Sequence, residues 1–200
     1  MEFVAGISHE LRTPLSVIQS AGFNLSHGVA VQSEKIQQYG TVIQTESKRL
    51  SDMLEQILNY AGIQSGGEHY QFQLTEISPL LEKLLSEYQK TFEDKGWSVE
   101  QHIDEGLPPV LADIRTLESA IRNLIENALK YASAGKWLRL TAATAHSRKE
   151  VVVTVTDRGP GIDPADLPHI FEPFYRGKKV LASSVPGAGL GLSLLQRYLK

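Results

Sequence analysis

The chain has 200 residues, 42% of them hydrophobic, and a formal net charge of −3. That is enough apolar material for one core or two small ones, and it excludes a disordered chain. The mild negative charge gives no electrostatic footprint for nucleic acid or an anionic membrane. Cysteine is absent, which excludes disulfides and thiolate metal sites and fits a reducing compartment. No run of apolar residues is long enough to span a bilayer, and no signal peptide is visible.

The first part of the chain, to about residue 62, reads as two helices. Phe3, Ile7, Leu11, Ile18 and Leu25 fall near one face of the first, and Pro14 is expected to interrupt and bend it. His9 and Glu10 sit on this helix and begin the zinc-protease pattern His-Glu-x-x-His. The closing position is Thr13, so that site cannot form. A turn is expected around Ser26–Gly28. In the second helix Ile36, Ile43, Leu50 and Ile57 repeat at heptad spacing, with Leu54 and Ala61 following two of them. Gly62 and "QSGGE" should stop it. Such a hairpin leaves apolar surface, which either a second copy covers, as a dimeric four-helix bundle, or the rest of the same chain covers.

From about Tyr70 the pattern changes. "YQFQLTEI" alternates as a strand does. Ser78–Lys95 is helical, with Leu80, Leu81, Leu84, Leu85 and Tyr88 on one side and Gly96 at its end. "WSVEQHI" alternates again. Asp113 can cap a helix reaching about Ala132. "KWLRLTAAT" and "EVVVTVTD" form a strand pair, and an irregular stretch then leads to a final helix beginning in "PGAGLGLSLL". The order implies an α+β domain with helices layered on a mixed or antiparallel sheet.

Several constellations carry chemistry. On the helix "LESAIRNLIENALKYA", Leu117, Ile121, Leu124 and Ala128 make the buried stripe. Asn123, Asn127, Lys130 and Tyr131 share another face. Amide oxygens suit Mg²⁺, lysine meets phosphate and a phenol can lie against a base; alone, the same pattern is a solvated helix face. "VTDRGPGID" ends a strand on Asp157, followed by Gly159 and Gly161. A carboxylate there can accept from an exocyclic amine, although a plain turn fits equally well. Gly187, Gly189 and Gly191 stand where a helix begins, where orphan N–H groups attract phosphate; a hinge is the plain alternative. This is neither a Walker loop nor a dinucleotide fingerprint. Phe171 and Phe174 flank a proline in the long loop and suggest a docking lid, with Arg176, Lys178 and Lys179 as cations near it.

Together these pieces resemble the sensor histidine kinases of two-component signalling. "SHELRTP" looks like the H box, "NLIEN" the N box, "DRGPG" the first glycine box, "FEPF" the F box and "GAGLG" the second glycine box, in family order over nearly the whole chain. The resemblance implies a dimerisation and histidine-phosphotransfer hairpin over about 1–64 and a Bergerat-type ATP-binding domain over 69–200. It implies that His9 is the phosphoacceptor, Glu10 its orienting base and Thr13 a residue for dephosphorylation of the regulator. Asn123 and Asn127 would hold Mg²⁺ and phosphates beside Lys130, and Tyr131 would line the adenine pocket. Asp157 would receive the adenine amino group, with Gly159, Gly161 and Ile162 shaping that pocket. Phe171, Phe174 and Arg176 would belong to the lid, and Gly187, Gly189, Leu190 and Gly191 would approach the phosphates.

The implied cofactors are ATP and Mg²⁺. The implied partners are a second copy of the chain and the receiver domain of a response regulator, with no nucleic acid and no membrane contact by this segment. A cytoplasmic segment of a bacterial inner-membrane sensor is expected. Family members continue past the equivalent of Lys200 with further strands and begin their first helix earlier, so both ends are expected to be trimmed. Two other classes remain: a dimeric scaffold that binds nucleotide without transferring phosphate, and an ATP hydrolase of the wider Bergerat group.

Overall fold

The computed structural model describes residues 2–28, 32–64, 70–145, 150–181, 185, 187 and 189–198, with the side chains of 2–7, 9, 10, 56, 59–64 and 181 outside that description. The chain divides into two compact units. One comprises Met1–Glu68 with Glu172–Tyr175 and Gly187–Leu190; the other comprises His69–Phe171, Arg176–Pro186 and Gly191–Lys200.

The first unit is built on a hairpin of α1 (Glu2–Ser26) and α2 (Ser33–Gln64). Pro14 does not interrupt α1. It removes one backbone donor and the remaining turns hold the helix, with Pro14 itself fully buried. Gly28 ends the turn with φ +66°, a conformation open to glycine without strain. Asn24 Nδ2 donates to Tyr39 Oη at 3.3 Å across the hairpin. Ala21 and Met53 are buried in the hairpin as well.

The heptad expectation holds in part. Ile43, Leu50 and Ile57 are half-buried, but Ile36 and Leu54 are exposed. The repeat marks an apolar surface wider than one partner helix covers. Leu15, Phe23 and Leu58 are exposed as well. Between the helices lies an open cleft of about 280 Å³ lined by Ser16, Val17, Ser20, Ala21, Tyr39 and Val42. α2 ends at Gln64, the first residue of "QSGGE", where the stop is expected; it passes Gly62 because an isolated glycine costs a helix only about 1 kcal/mol.

The second unit is an α/β sandwich. Its elements are β1 (Phe72–Thr75), α3 (Ile77–Lys95), β2 (Ser98–Ile103), β3 (Val110–Asp113), α4 (Ile114–Tyr131), β4 (Trp137–Thr144), β5 (Val151–Asp157), α5 (Lys178–Leu181) and α6 (Gly191–Tyr198). β2 pairs with β4 in parallel, and β4 with β5 antiparallel; β1 and β3 form a separate antiparallel pair. β3 and α5 go beyond the sequence expectation. Each spans four residues, too short to show a period.

Leu138, Leu140 and Ala142 point to one face of the sheet, where α3 and α4 cover them with Leu81, Leu84, Ile121, Ile125 and Ala128. Gly96 closes α3 at φ +66°, its N–H bonded to the Glu93 carbonyl. Asp113 caps α4, accepting from the Thr116 N–H at 2.9 Å, as its position predicts. The buried stripe of α4 is Ala120, Ile121, Ile125 and Ala128, whereas Leu117 and Leu124 are only half-buried. The stripe keeps its centre at Ile121 and Ala128 but is broader than expected, with Ala120 and Ile125 at its edges, and α4 packs on α6 as well as on the sheet.

Candidate functional site

α4 carries Asn123, Asn127, Lys130 and Tyr131, all half-buried. Their spacing places them on one face, as expected. Each end of that face meets a glycine. A methyl built on Gly191, the first residue of α6, would stand 3.3 Å from Asn123 Oδ1. A methyl on Gly159 would stand 3.2 Å from the Cβ of Ala132, the C-cap of α4. The run from 123 to 132 is about 13 Å of helix.

The Gly159 end carries the carboxylate. Asp157 closes β5 and is exposed, and its Oδ1 accepts from the Gly159 N–H at 2.7 Å. The carboxylate keeps further acceptor sites for a ligand donor. Gly161 has φ +69°, and Ile162 is half exposed.

A ladder of polar pairs joins α4 to α3. Lys83 meets Glu118 at 2.6 Å, and Arg122 pairs with Glu87. The Tyr88 hydroxyl donates to Glu126 Oε1 at 3.2 Å. Lys130 Nζ lies 3.4 Å from Glu126 Oε2, so the lysine expected at phosphate has a carboxylate neighbour one turn back. Burial, and then the Glu126 charge, push the Tyr88 phenol up to about 12, so it stays a neutral donor at ordinary pH. Sequence reasoning missed Glu126 and Tyr88. Their pairing depends on how two helices pack, which no spacing within either helix reveals.

The loop residues divide between the two units. In the second, Arg176 donates from Nη2 to the Val185 carbonyl at 2.6 Å, bracing the loop that contains α5. Lys179 reaches Asp163 at 3.5 Å, while Lys178 is exposed. Phe171 is exposed. In the first unit, the Phe174 N–H donates to the Gly189 carbonyl at 2.9 Å. Both residues have positive φ, 65° and 68°. A Cβ on Gly189 would lie 2.7 Å from the Phe174 carbonyl carbon, so this close approach needs glycine on both grounds. Leu190 is fully buried and Gly187 half-buried.

His9 and Glu10 lie within α1, but their side chains are outside the described residues. Thr13, one turn on, is exposed. The described residues contain no cluster of three or more His, Asp or Glu that could hold a metal. A cation at α4 would instead rest on the Asn123 and Asn127 amide oxygens and on ligand phosphates. That donor set suits Mg²⁺, which binds few protein oxygens and keeps waters. No helix among the described residues is long and apolar enough to cross a membrane.

Two family models match the chain: "His Kinase A (phospho-acceptor) domain" over residues 1–66, and "Histidine kinase-, DNA gyrase B-, and HSP90-like ATPase" over residues 112–200. The sensor protein SrrB of Staphylococcus aureus strain N315 is 28% identical over 199 residues. The match takes in all of this chain and 34% of that protein, so the chain spans about a third of the length of the curated relatives it matches. Among solved structures, the Acinetobacter baumannii histidine kinase AdeS shares the fold at TM-score 0.75 and 23% identity, covering 96% of this chain and 85% of that one. The histidine kinase ThkA, solved in complex with the response regulator protein TrrA, shares it at TM-score 0.71 and 21% identity, covering 88% and 50%.

Proposed function

This chain belongs to the sensor histidine kinases of two-component signalling, and on that premise we propose that it transfers the γ-phosphoryl group of ATP to His9 and then to an aspartate of a response regulator. Residues 1–64 serve as the dimerisation and phosphotransfer module, and residues 69–200 as the catalytic module. The observation that carries this reading is the polar face of α4, bounded by Gly191 at Asn123 and by Gly159 at Ala132. It offers phosphate chemistry at one end and a base-recognising carboxylate at the other.

In this mechanism Asp157 takes the adenine amino group and Tyr131 lies along the base. Lys130 and the N–H groups at the start of α6 receive phosphate oxygens. Asn127 and Asn123 would hold Mg²⁺, which offsets phosphate charge. Phosphoryl transfer asks mainly for positioning and charge stabilisation, and these groups supply both. A histidine with an ordinary pKa near ~6.5 is largely neutral at pH 7 and nucleophilic. Glu10 would orient the His9 ring and stabilise the cation formed in attack, as a carboxylate does behind a catalytic histidine. Thr13 would position water for the reverse, regulator-dephosphorylating reaction.

The exposed apolar residues Leu15, Phe23, Ile36, Leu54 and Leu58 support a homodimer that covers them. The ThkA–TrrA complex supports a receiver domain as the partner. The relatives' description as sensor proteins supports a membrane-anchored parent.

The test is incubation with γ-labelled ATP and Mg²⁺. Acid-labile, alkali-stable label is expected on the protein and should be absent from His9→Gln. Label that survives His9→Gln would sink the proposal, and steady ATP turnover indifferent to that change would point to a hydrolase.

A further inference from the structure

Trp137 is a large aromatic on the sheet face opposite the core, yet it is only 8% exposed. On that face the alternation of β4 sets it beside Arg139, and the register sets Arg139 opposite Glu100. The indole Nε1–H donates to Glu100 Oε1 at 2.8 Å, and Arg139 Nε donates to Glu100 Oε2 at 2.9 Å. Both carboxylate oxygens are thus engaged. These bonds, the indole first and the guanidinium second, hold the Glu100 carboxyl below its ordinary range. Two guanidiniums then lie over the indole ring. Arg139 Cζ is 5.0 Å from its centroid, and Arg158 Cζ is 4.3 Å. Both are within cation–π range.

Arg158 directly follows Asp157, so its anchorage is also the anchorage of the loop that Asp157 opens. Two further contacts fix that loop. A methyl on Gly135 would collide with the Arg158 carbonyl oxygen, so the backbone there lies against the α4–β4 turn. Gly159 rests on Ala132, as described above. The turn beneath is itself held. The Ala132 carbonyl accepts from Gly135 and Lys136 N–H, each at 3.0 Å, and the Lys136 carbonyl accepts from Ser98 N–H at 2.9 Å.

We infer that Trp137, Arg158 and Gly135 are positioning residues for Asp157: the guanidinium–indole stack and the close backbone approach at Gly135 set where the Asp157 carboxylate stands, and so set selectivity for the amino group of adenine. The inference rests on the proposed role of Asp157. Without the stack, Arg158 keeps its close approach to Gly135 but loses the anchorage of its guanidinium. The carboxylate then samples positions from which one directional hydrogen bond is lost, while the phosphate end of α4 is untouched.

The experiment compares binding of ATP and of purine riboside 5′-triphosphate, which lacks the 6-amino group, by calorimetry. The chain is tested as wild type and as Arg158→Ala, Arg158→Lys and Gly135→Ala. One lost hydrogen bond corresponds to roughly three- to tenfold in affinity. The wild type is expected to prefer ATP by about that factor. Arg158→Ala and Gly135→Ala should bring the ratio towards one by weakening ATP alone, and Arg158→Lys, which keeps a cation over the ring, should retain much of it. A wild-type preference left intact in both Arg158→Ala and Gly135→Ala overturns the positioning role and leaves Asp157 as proposed. Equal weakening of both nucleotides also overturns it, since a merely structural role predicts that result. A wild-type ratio of one overturns the role of Asp157 itself and this inference with it.

Discussion

The two units solve the burial problem differently. In the α/β unit Leu81, Leu84, Ile125, Leu138 and Leu140 are completely enclosed, because a sheet and two helices surround them. In the hairpin two helices can only shield the strip between them. Leu58 is left 68% exposed and Phe23 58%. A helix pair with apolar residues spread beyond one seam needs further helices, whereas a sheet covered by helices closes its own core. The α/β unit should therefore owe its stability to its own packing, and the hairpin should owe it to association.

The strongest test of that contrast is Leu84→Ala. Removing a fully enclosed leucine should cost about 2–5 kcal/mol, read as a lower denaturation midpoint of the α/β unit with no change in oligomeric state. Leu58→Ser should do the reverse. If a second copy covers Leu58, the dimer dissociation constant should rise by about tenfold or more, while the unfolding of the α/β unit stays unchanged. Analytical ultracentrifugation over a dilution series reads this. A change in the α/β transition and none in association would break the comparison.

A smaller effect is expected at Asp113→Ala, about 1 kcal/mol for a lost helix cap. The Thr116 N–H, and then the Gln71 N–H, hold this carboxyl below its ordinary value. A depressed carboxylate stabilises the fold above its unfolded pKa, near ~3.9, and the contribution is lost as pH falls through the lower folded value. The wild-type advantage should therefore be full at neutral pH and disappear under stronger acid, as measured by urea denaturation at each pH. Smallest of all is Lys83→Met. Its partner Glu118 is close, but the lysine is 57% exposed, so at most about 1 kcal/mol is expected, shrinking with salt.

Much of this architecture was legible in the chain itself. The periodicity of α3, the glycine after Lys95 and the cap at Asp113 are local signals that the structure bears out, and the α4 stripe holds at Ile121 and Ala128. The face of α4 follows from helical geometry alone. What failed was also physical. Pro14 is a usual breaker, yet one weak residue among many good ones does not end a long helix. The heptad at Ile36 and Leu54 marks apolar character correctly but does not say which partner buries it.

The sequence by itself determined the longer elements, their order and the residue types at the site, because those depend on spacing along one chain; the short β3 and α5 show no period. Only the tertiary structure decided which groups meet. The pairing of β2 with β4 brings Glu100 to Trp137 and Arg139, the end of β5 lays Arg158 over that indole, and the packing of α3 on α4 brings Tyr88 to Glu126. The partners in each of these pairs lie about 20 to 40 positions apart along the chain. Their contacts are set by register and helix packing, which no local period encodes.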